Sequence, residues 1–232
     1  MERTVETQKK RSMALEIWRR LRKNKMAMLG LVILVMLALT AIFADVIADY
    51  DTKVIAQDIK NRLQGPSMEH WCGTDEFGRD IFARLVHGSR VSLVVGLISV
   101  SISLLMGGAL GAIAGYYGGR VDNVIMRIMD IFLAVPSILL AMTIVAALGT
   151  SLINVMLAIG VSGIPGYARI VRASVMSIKD QEFVEASRAI GAKSPTTIFR
   201  EILPNCLAPI IVQATLSVAG AILSTASLSF IG

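Results

Sequence analysis

Four long stretches of this chain contain no charged residue, and they restrict its fold more than any other feature. They cover residues 27–44, 91–119, 131–168 and 204–232. An α-helix rises about 1.5 Å per residue, so about 20 apolar residues cross a hydrocarbon core of about 30 Å. Strands of a membrane β-barrel would be about 10 residues long and would alternate in polarity, unlike these stretches. The chain is therefore predicted to be an all-α integral membrane protein.

The uncharged stretch 131–168 is too long for a single crossing, and the small polar residues around Thr150 divide it. Proline removes a backbone donor, so we expect Pro136 to interrupt the third helix and the segment 163–166 to interrupt the fourth. The sequence predicts five transmembrane helices, near residues 27–48, 90–116, 123–148, 152–174 and 206–231.

The charged residues between these helices predict how the chain is oriented. The arm 1–26 is rich in lysine and arginine, and basic residues beside a membrane helix stay in the cytoplasm. The segment 49–89 holds more acidic than basic residues and is predicted to be extracytoplasmic, whereas the basic loop 175–204 is predicted to be cytoplasmic. The net charge of +6 is therefore attributed to topology and contact with membrane lipid, and not to nucleic-acid binding.

Ionisable side chains are missing from the middle of the predicted helices. A carrier driven by protons or sodium ions normally needs such groups there, which disfavours a secondary transporter or a channel. The sequence holds no glycine-rich phosphate-binding loop, and Cys72 and Cys206 lack metal-ligand spacing, so we expect both thiols to be unpaired. We predict neither a catalytic residue nor a metal site. A membrane scaffold that only recruits a partner remains an alternative.

Three glycines recur at intervals of four residues in the second predicted helix: Gly107, Gly111 and Gly115. This spacing places them on one face of the helix. Small residues allow two helices to approach closely in lipid, where apolar burial gives little attraction between helices. We therefore predict a helix-packing face, with the lining of a translocation path as the alternative.

A long polar connection joins the fourth and fifth predicted transmembrane helices. Its sequence predicts two short helices. The first covers about 180–190, with Asp180 as its cap and Gly191 as its stop. The second begins at Ser194 with a proline in its first turn and ends at Pro204. Apolar side chains outside the bilayer need a surface that buries them, and we predict that another protein provides it.

Another polar block lies before the second helix and reads His-Trp-Cys-Gly-Thr-Asp-Glu-Phe-Gly-Arg-Asp over residues 70–80. Its arginine and acidic residues predict an ion-pair and capping network that shapes the loop, in preference to a metal or catalytic cluster. The block resembles the segment before the second membrane helix in permeases of the dipeptide, oligopeptide and nickel ABC importers. The residues of this extracytoplasmic motif are Gly73, Thr74, Asp75, Gly78, Arg79 and Asp80.

The loop 178–204 resembles the cytoplasmic coupling loop of the same permeases. Their pattern Glu-Ala-Ala-x-x-x-Gly falls on Glu185, Ala186, Ser187 and Gly191, with serine in place of the second alanine. The isoleucine usual before the closing Leu-Pro is Glu201 here. The resemblance implies that this loop docks on a separate ATPase subunit. The residues implied in coupling are Glu182, Phe183, Glu185, Ala186, Ser187, Gly191, Leu203 and Pro204.

The resemblance covers almost the whole chain, from about residue 27 to residue 232. It implies an importer-type ABC permease fold and the role of transmembrane permease subunit in an ATP-driven, binding-protein-dependent importer of di- or oligopeptides. Import of nickel or of another small solute is the alternative. The implied partners are a second, non-identical permease subunit, ABC ATPase subunits that bind ATP and magnesium, and an extracytoplasmic solute-binding protein. No cofactor is expected in this chain itself.

The resemblance also implies a multi-pass protein of the cell membrane with a cytoplasmic amino terminus. Permeases of this group have six membrane helices, so five of an expected six are predicted here. The predicted organisation is a cytoplasmic basic arm (1–26), a first transmembrane helix (27–48), an extracytoplasmic segment (49–89) and a permease core domain (90–232) truncated at its carboxyl terminus.

Overall fold

The chain folds almost entirely into helices. The structure is a computed structural model that describes residues 13–231, so the first part of the predicted basic arm lies outside the described residues. The chain divides into two compact units, Met1–Arg90 and Val91–Gly232. The α-helices are α1 (Met13–Lys23), α2 (Lys25–Ile42), α3 (Ala44–Ile47), α4 (Ile81–Tyr117), α5 (Gly119–Leu133), α6 (Ser137–Leu148), α7 (Leu152–Ile178), α8 (Glu182–Ala189), α9 (Ser194–Thr196), α10 (Leu203–Asn205) and α11 (Leu207–Ile231). Shorter helical turns cover Tyr50–Ile55, Ile59–Asn61 and Thr197–Ile202.

Helix α2 corresponds to the first predicted transmembrane helix, although it ends at Ile42 and not at residue 48. Asn24 caps it, because its side-chain oxygen accepts hydrogen bonds from the amides of Met26 and Ala27 at 3.1 and 3.2 Å. The helix is apolar on all sides, and only 6% of it is buried within the chain. Such a helix is suited to contact with lipid on nearly every face.

Helix α4 begins at Ile81, earlier than the predicted start at residue 90. The reason is a cap that the hydropathy pattern does not reveal: the Asp80 carboxylate accepts a hydrogen bond from the amide of Ala83 at 2.8 Å. The first turns of α4 are then held to the chain near α3. The His87 ring hydrogen-bonds the carbonyl of Ala48 at 2.8 Å, and Arg90 pairs with Asp45 at 2.9 Å.

The third predicted span is a broken one. Helices α5 and α6 are separated by the short segment 134–136 and differ in direction by 83°. Pro136 lies at the break, as predicted, because it cannot donate the hydrogen bond that would continue the helix. The described residues contain four unbroken helices apolar and long enough to cross a membrane, and five spans if this bent pair counts as one, which agrees with the predicted five.

The fourth span does not follow the prediction. Helix α7 runs without interruption from Leu152 to Ile178, with Pro165 inside it, so the predicted break at 163–166 is wrong. A proline removes a single donor, and neighbouring helices can hold the chain in helical form around it. Here Pro165 is fully buried, and the adjacent Gly163 lies directly against the Ser103 side chain of α4.

Helices α4 and α7 pack along the glycine stripe. A methyl group added at Gly107 or Gly111 would overlap the carbonyl oxygen of Ile164 or Ala168, and one added at Gly115 would lie 2.8 Å from the carbonyl oxygen of Arg172. The three contacts on α7 are themselves four residues apart, so the two helices face each other along a straight seam. Two interhelical hydrogen bonds extend this seam, from Ser99 to the carbonyl of Met156 (3.0 Å) and from Ser103 to that of Gly160 (2.6 Å).

Candidate functional site

The connection between α7 and α11 begins with α8 and a glycine turn. The residue that precedes α8 is Gln181, and its side chain makes no capping hydrogen bond, so the prediction that Asp180 caps this helix is wrong. Asp180 lies instead in the turn that closes when the Gln181 amide donates to the carbonyl of Ile178 at 3.0 Å. Gly191 ends the helix with φ of +87°, a conformation that favours glycine, as predicted from its place in the sequence.

The second half of this connection continues further than predicted. Pro195 lies in the first turn of α9, where its missing N–H is not needed. The wide π-helical turn Thr197–Ile202 follows, and α10 carries Pro204 in its own first turn. Pro204 therefore does not end the helix, because the Cys206 amide donates to the carbonyl of Ile202 at 3.1 Å and leads the chain into α11.

One face of this connection is buried against the chain's own helices. Val184, Ile198 and Ile202 pack in a cluster that includes Val171 and Val175 of α7. The expectation that another protein buries the apolar residues of the loop is therefore wrong for these three side chains. The signal was present as the four-residue spacing of Ile198 and Ile202, but the sequence alone does not say which partner such a face meets.

The opposite face is exposed, and it carries most of the residues implied in coupling. The exposed residues of the predicted set are Glu182, Phe183, Glu185, Ala186 and Gly191. Ser187 is half-buried, and of the closing pair Leu203 is half-buried while Pro204 is exposed. Most of the predicted residues of α8 are therefore accessible, and Leu203 lies against the buried cluster.

Two exposed large apolar side chains of this connection were not among the predicted site residues. Ile190 is 86% exposed and Phe199 is 69% exposed. Together with Phe183 they are large apolar side chains that this connection leaves exposed. We call the exposed set Phe183, Glu185, Ile190, Gly191 and Phe199 the docking face.

An arginine links α8 to the end of α4. The Arg188 guanidinium lies over the ring of Tyr116, 5.0 Å from its centroid, in a cation–π contact. Tyr116 also packs against the cluster formed by Val184 and Ile198. The docking face is consequently mounted on both α4 and α7.

Two ion pairs connect α5 with α7 near this connection. Arg172 binds Asp122 through two parallel hydrogen bonds, Nε to Oδ1 at 2.5 Å and Nη2 to Oδ2 at 2.6 Å. Arg169 makes one bond to Asp130 at 2.6 Å. The first pair is largely buried and the second is about half exposed, which matters because burial of an ion pair strengthens it only when its hydrogen bonds are complete.

The extracytoplasmic motif forms a compact hydrogen-bonded loop centred on Asp75. This carboxylate accepts from the amides of Phe77 and Arg79, each at 2.9 Å, and pairs with the side chains of Arg79 (2.8 Å) and Arg84 (2.5 Å). Gly78 has φ of +75°, and a side chain there would overlap the backbone of Asp58. The motif is therefore built as a network of capping bonds and ion pairs around a turn.

The remaining motif residues close the same loop. The Thr74 hydroxyl is buried, donates to the carbonyl of Asn61 at 2.5 Å and accepts from the amide of Gln64 at 2.9 Å. A side chain at Gly73 would overlap the carbonyl of Gln64. Asp80 caps α4 and also bonds the His70 ring at 2.9 Å.

The hydrogen bonds of this loop act on its acidic groups. Burial opposes ionisation of Asp75, but the amides of Arg79 and Phe77 and the Arg79 guanidinium outweigh it and lower the pKa to about 2. Burial also opposes ionisation of Asp80, and the Ala83 amide and the His70 ring again outweigh it, so its pKa is lowered too. Both carboxylates therefore favour the folded loop in their charged form.

We expect the loop to lose stability as the pH falls from about 4 to about 2. An unfolded aspartate has a pKa of about 3.9, so the stabilisation by Asp75 is complete above that pH and disappears as the pH approaches the folded value. Trp71, which packs on Phe82 with ring centroids 5.0 Å apart, reports on the loop by fluorescence in a Trp18→Phe background. The Asp75→Asn variant should lose most of this pH dependence, and the variant of an exposed neighbour, Glu76→Gln, should keep it. An unchanged pH profile in Asp75→Asn would contradict the assignment.

Two family models match this chain. Residues 107–232 match the binding-protein-dependent transport system inner membrane component, and residues 12–66 match the N-terminal TM domain of oligopeptide transport permease C. The first match includes the glycine stripe, the broken span and the docking face. The second includes α1 and α2.

Curated relatives agree with these matches. The dipeptide transport system permease protein DppC of Alkalihalophilus pseudofirmus is 51% identical over 217 residues, which cover 94% of this chain and 71% of the relative. The di/tripeptide transport system permease protein DppC of Pseudomonas aeruginosa is 45% identical over 94% of this chain and 73% of its own length. The glutathione transport system permease protein GsiD of Shigella dysenteriae is 42% identical over 94% of this chain and 71% of its own length.

The apolar helices, their glycine-mediated packing and these matches agree with one another along the chain. The fold is that of an all-α, multi-pass membrane protein. This chain belongs to the family of binding-protein-dependent transport system inner membrane components and is a transport permease.

Proposed function

We propose that this protein is the permease subunit of an ATP-driven importer of short peptides. The similarity to permeases named for dipeptides, di/tripeptides and glutathione supports the choice of substrate, because all three are short peptides. The observation that carries the mechanism is the two-faced connection between α7 and α11. Its buried face is fixed to the helices, and its docking face is free to bind another protein.

A docking face of this composition fits a groove on an ATPase subunit. Phe183, Ile190 and Phe199 supply apolar contacts, and Glu185 supplies a carboxylate for a basic residue of the partner. The space beside Gly191 is open, because a methyl group added there would meet no heavy atom within 4 Å, so a partner can approach the backbone closely. ATP and magnesium would bind to that partner, and this chain would carry out no covalent chemistry.

The attachment of the docking face to α4 and α7 suggests how movement of the ATPase would reach the membrane helices. Movement of the ATPase would displace the docking face, and the contacts of Val184 and Tyr116 would pass that displacement to α7 and α4. A rigid-body change of the helices between inward-open and outward-open states would move the substrate. The remaining partners would be a second, non-identical permease subunit and an extracytoplasmic solute-binding protein. The amino terminus and the connection between α7 and α11 would lie in the cytoplasm, in keeping with the basic residues of both segments.

The proposal is tested by reversing the charge of the docking face. We expect Glu185→Lys to reduce co-purification of the ATPase and ATP-dependent dipeptide uptake by roughly tenfold, the effect of about 1.4 kcal/mol at an interface. Gly191→Leu should act in the same direction, because its φ of +87° disfavours a side chain. The matched control is Glu69→Lys, the same charge change at an exposed site of the outer segment, which should leave both measurements unchanged.

Normal ATPase association and uptake in both docking-face variants would show that the coupling assignment is wrong. Uptake that follows an ion gradient and continues without ATP would contradict the proposal that the importer is driven by ATP. Co-purification of the ATPase also tests the orientation, since ATP and its hydrolysis are cytoplasmic.

A further inference from the structure

A cavity in the unit Val91–Gly232 has eight neutral polar side chains in an otherwise apolar lining. It has a volume of about 330 Å³ and lies between α4, α6, α7 and α11. This volume falls within the range of roughly 300–1,000 Å³ that is typical of small-molecule sites. No acidic or basic residue is among the described residues that line it. The polar part of the lining consists of hydroxyl and amide groups.

Helix α11 contributes a stripe to this lining. Gln213, Ser217 and Ser224 all face the cavity, at intervals that keep them on one side of the helix. The Gln213 amide donates to the Ser217 hydroxyl at 3.2 Å, so its carbonyl oxygen stays available. By contrast, Thr215 is exposed on another side of α11 and donates to its own backbone, at the carbonyl of Ile211 (2.9 Å).

The wall of the cavity contains a hydroxyl without a partner. Tyr167 is only 3% exposed, and its hydroxyl makes no hydrogen bond within the part of the chain that the structure describes. The Ser217 hydroxyl of α11 lines the same cavity. A buried unpaired hydroxyl costs about 1–3 kcal/mol, and native proteins rarely retain one without a use.

The break between α5 and α6 opens onto the same cavity. Leu133 and Ser137, from the two sides of the break, both belong to the lining. No side chain caps the start of α6, so its first amides are available as donors. Irregular backbone at membrane depth is tolerated where it is buried in protein or lines an aqueous cavity, and here it borders a cavity whose lining includes hydroxyl groups.

From these observations we propose that the cavity is a passage site for the peptide, which it binds through the peptide's own amide and carbonyl groups. The inference rests on the proposed function and adds the site and its chemistry. Tyr167, the start of α6 and the α11 stripe supply donors, and the hydroxyls and the Gln213 carbonyl supply acceptors. Because these groups contact the backbone, the site accepts peptides that differ in their side chains.

The absence of charge from the described lining suits passage. A site through which a solute moves must bind it well enough for entry and weakly enough for release. A buried ionic contact would be costly to break, whereas neutral hydrogen bonds contribute only about 0.5–1.5 kcal/mol each. Neutral groups that both donate and accept can be exchanged one at a time as the peptide advances.

The inference is tested by uptake of radiolabelled dialanine into cells that contain the complete importer. Tyr167→Phe keeps the ring and removes only the unpaired hydroxyl, and a Ser217→Ala, Ser224→Ala double variant removes two hydroxyls of the stripe. Each is expected to lower the maximal uptake rate by roughly two- to tenfold, the effect of one or two neutral hydrogen bonds. Labelled glycylphenylalanine should be slowed to the same extent, because the contacts are with the backbone. Thr215→Val is the matched control on α11 and should transport like the wild type.

Stability and water access separate a passage site from a packing surface. Tyr167→Phe should unfold at the same temperature as the wild type or higher, since an unpaired hydroxyl stabilises nothing. In a Cys72→Ser background, in which the remaining native Cys206 is buried, Ser217→Cys should react with a charged water-soluble thiol reagent, and dialanine should slow the reaction. Thr215→Cys should not show this protection.

Unchanged uptake in Tyr167→Phe and in the double variant, beside normal wild-type uptake, would overturn the inference alone. Loss of thermal stability in Tyr167→Phe, or an unreactive Ser217→Cys, would also overturn it, because the cavity would then be filled by protein. A wild-type importer with no dialanine uptake would contradict the proposed function, and the inference with it.

Discussion

Replacing Gly111 by alanine is expected to lower the free energy of unfolding by about 1–3 kcal/mol, the usual cost of overpacking a tight contact. The added methyl group would overlap the backbone carbonyl of Ala168, and a carbonyl in a helix cannot rotate away as a side chain can. The helices α4 and α7 would have to separate along their seam. Their interhelical bonds from Ser99 and Ser103 would be strained at the same time. Thermal unfolding of the detergent-solubilised protein measures the change.

Gly108 provides a matched control one residue away. A methyl group there meets nothing closer than 3.9 Å, the side chain of Leu104, which is an ordinary van der Waals contact. Alanine favours a helix over glycine by about 1 kcal/mol, so Gly108→Ala should be neutral or slightly stabilising. If both variants unfold at the same temperature, close contact along the stripe does not hold α4 against α7.

Neutralising Asp122 is expected to destabilise the packing of α5 on α7 by about 2–3 kcal/mol. Asp122→Asn leaves Arg172 with an unmatched charge that was held by two parallel hydrogen bonds. The Asp122 side chain is 11% exposed, so water cannot take over its role without rearrangement. The double variant Asp122→Asn, Arg172→Gln removes both charges and should recover part of the loss. A thermodynamic cycle over the four proteins gives the interaction energy of the pair.

Asp130 and Arg169 form a second pair between the same two helices and serve as the control. Their side chains are 49% and 55% exposed, and exposed pairs contribute less than about 1 kcal/mol. Asp130→Asn should therefore shift the unfolding temperature much less than Asp122→Asn. Equal shifts at both positions would mean that burial does not set the strength of these pairs.

The membrane spans could be predicted from sequence because charge is so costly in lipid that its absence marks each helix. The difference between the two membrane prolines could not be predicted. Pro136 breaks its span and Pro165 does not, although both lie in uncharged stretches. The difference is in their surroundings, since Pro165 is enclosed in the packed face of α7 and no local pattern reports that packing. The 83° angle at the first break is likewise a product of packing.

The connection between α7 and α11 shows the same limit at a smaller scale. Its two helices and the glycine between them follow from local rules of capping and backbone conformation. Phe183 and Val184 are neighbouring apolar residues, and only the fold shows that Val184 is buried and Phe183 is exposed. The polar cavity was missed because Ser217 and Ser224 lie in an uncharged stretch where hydroxyls are common, and their shared face has meaning only beside Tyr167.

The anchoring of Val184, Ile198 and Ile202 has a mechanical consequence. The connection between α7 and α11 can transmit force to the helices only if its attachment is rigid, because a flexible attachment would absorb a small displacement as local bending. These three side chains make the attachment rigid, because bending the connection away from the helix bundle would open an apolar gap beneath it. Under the proposed function, a displacement of the docking face by a few ångströms would therefore be transmitted to α4 and α7 together, as tilt of the helices and not as deformation of the connection.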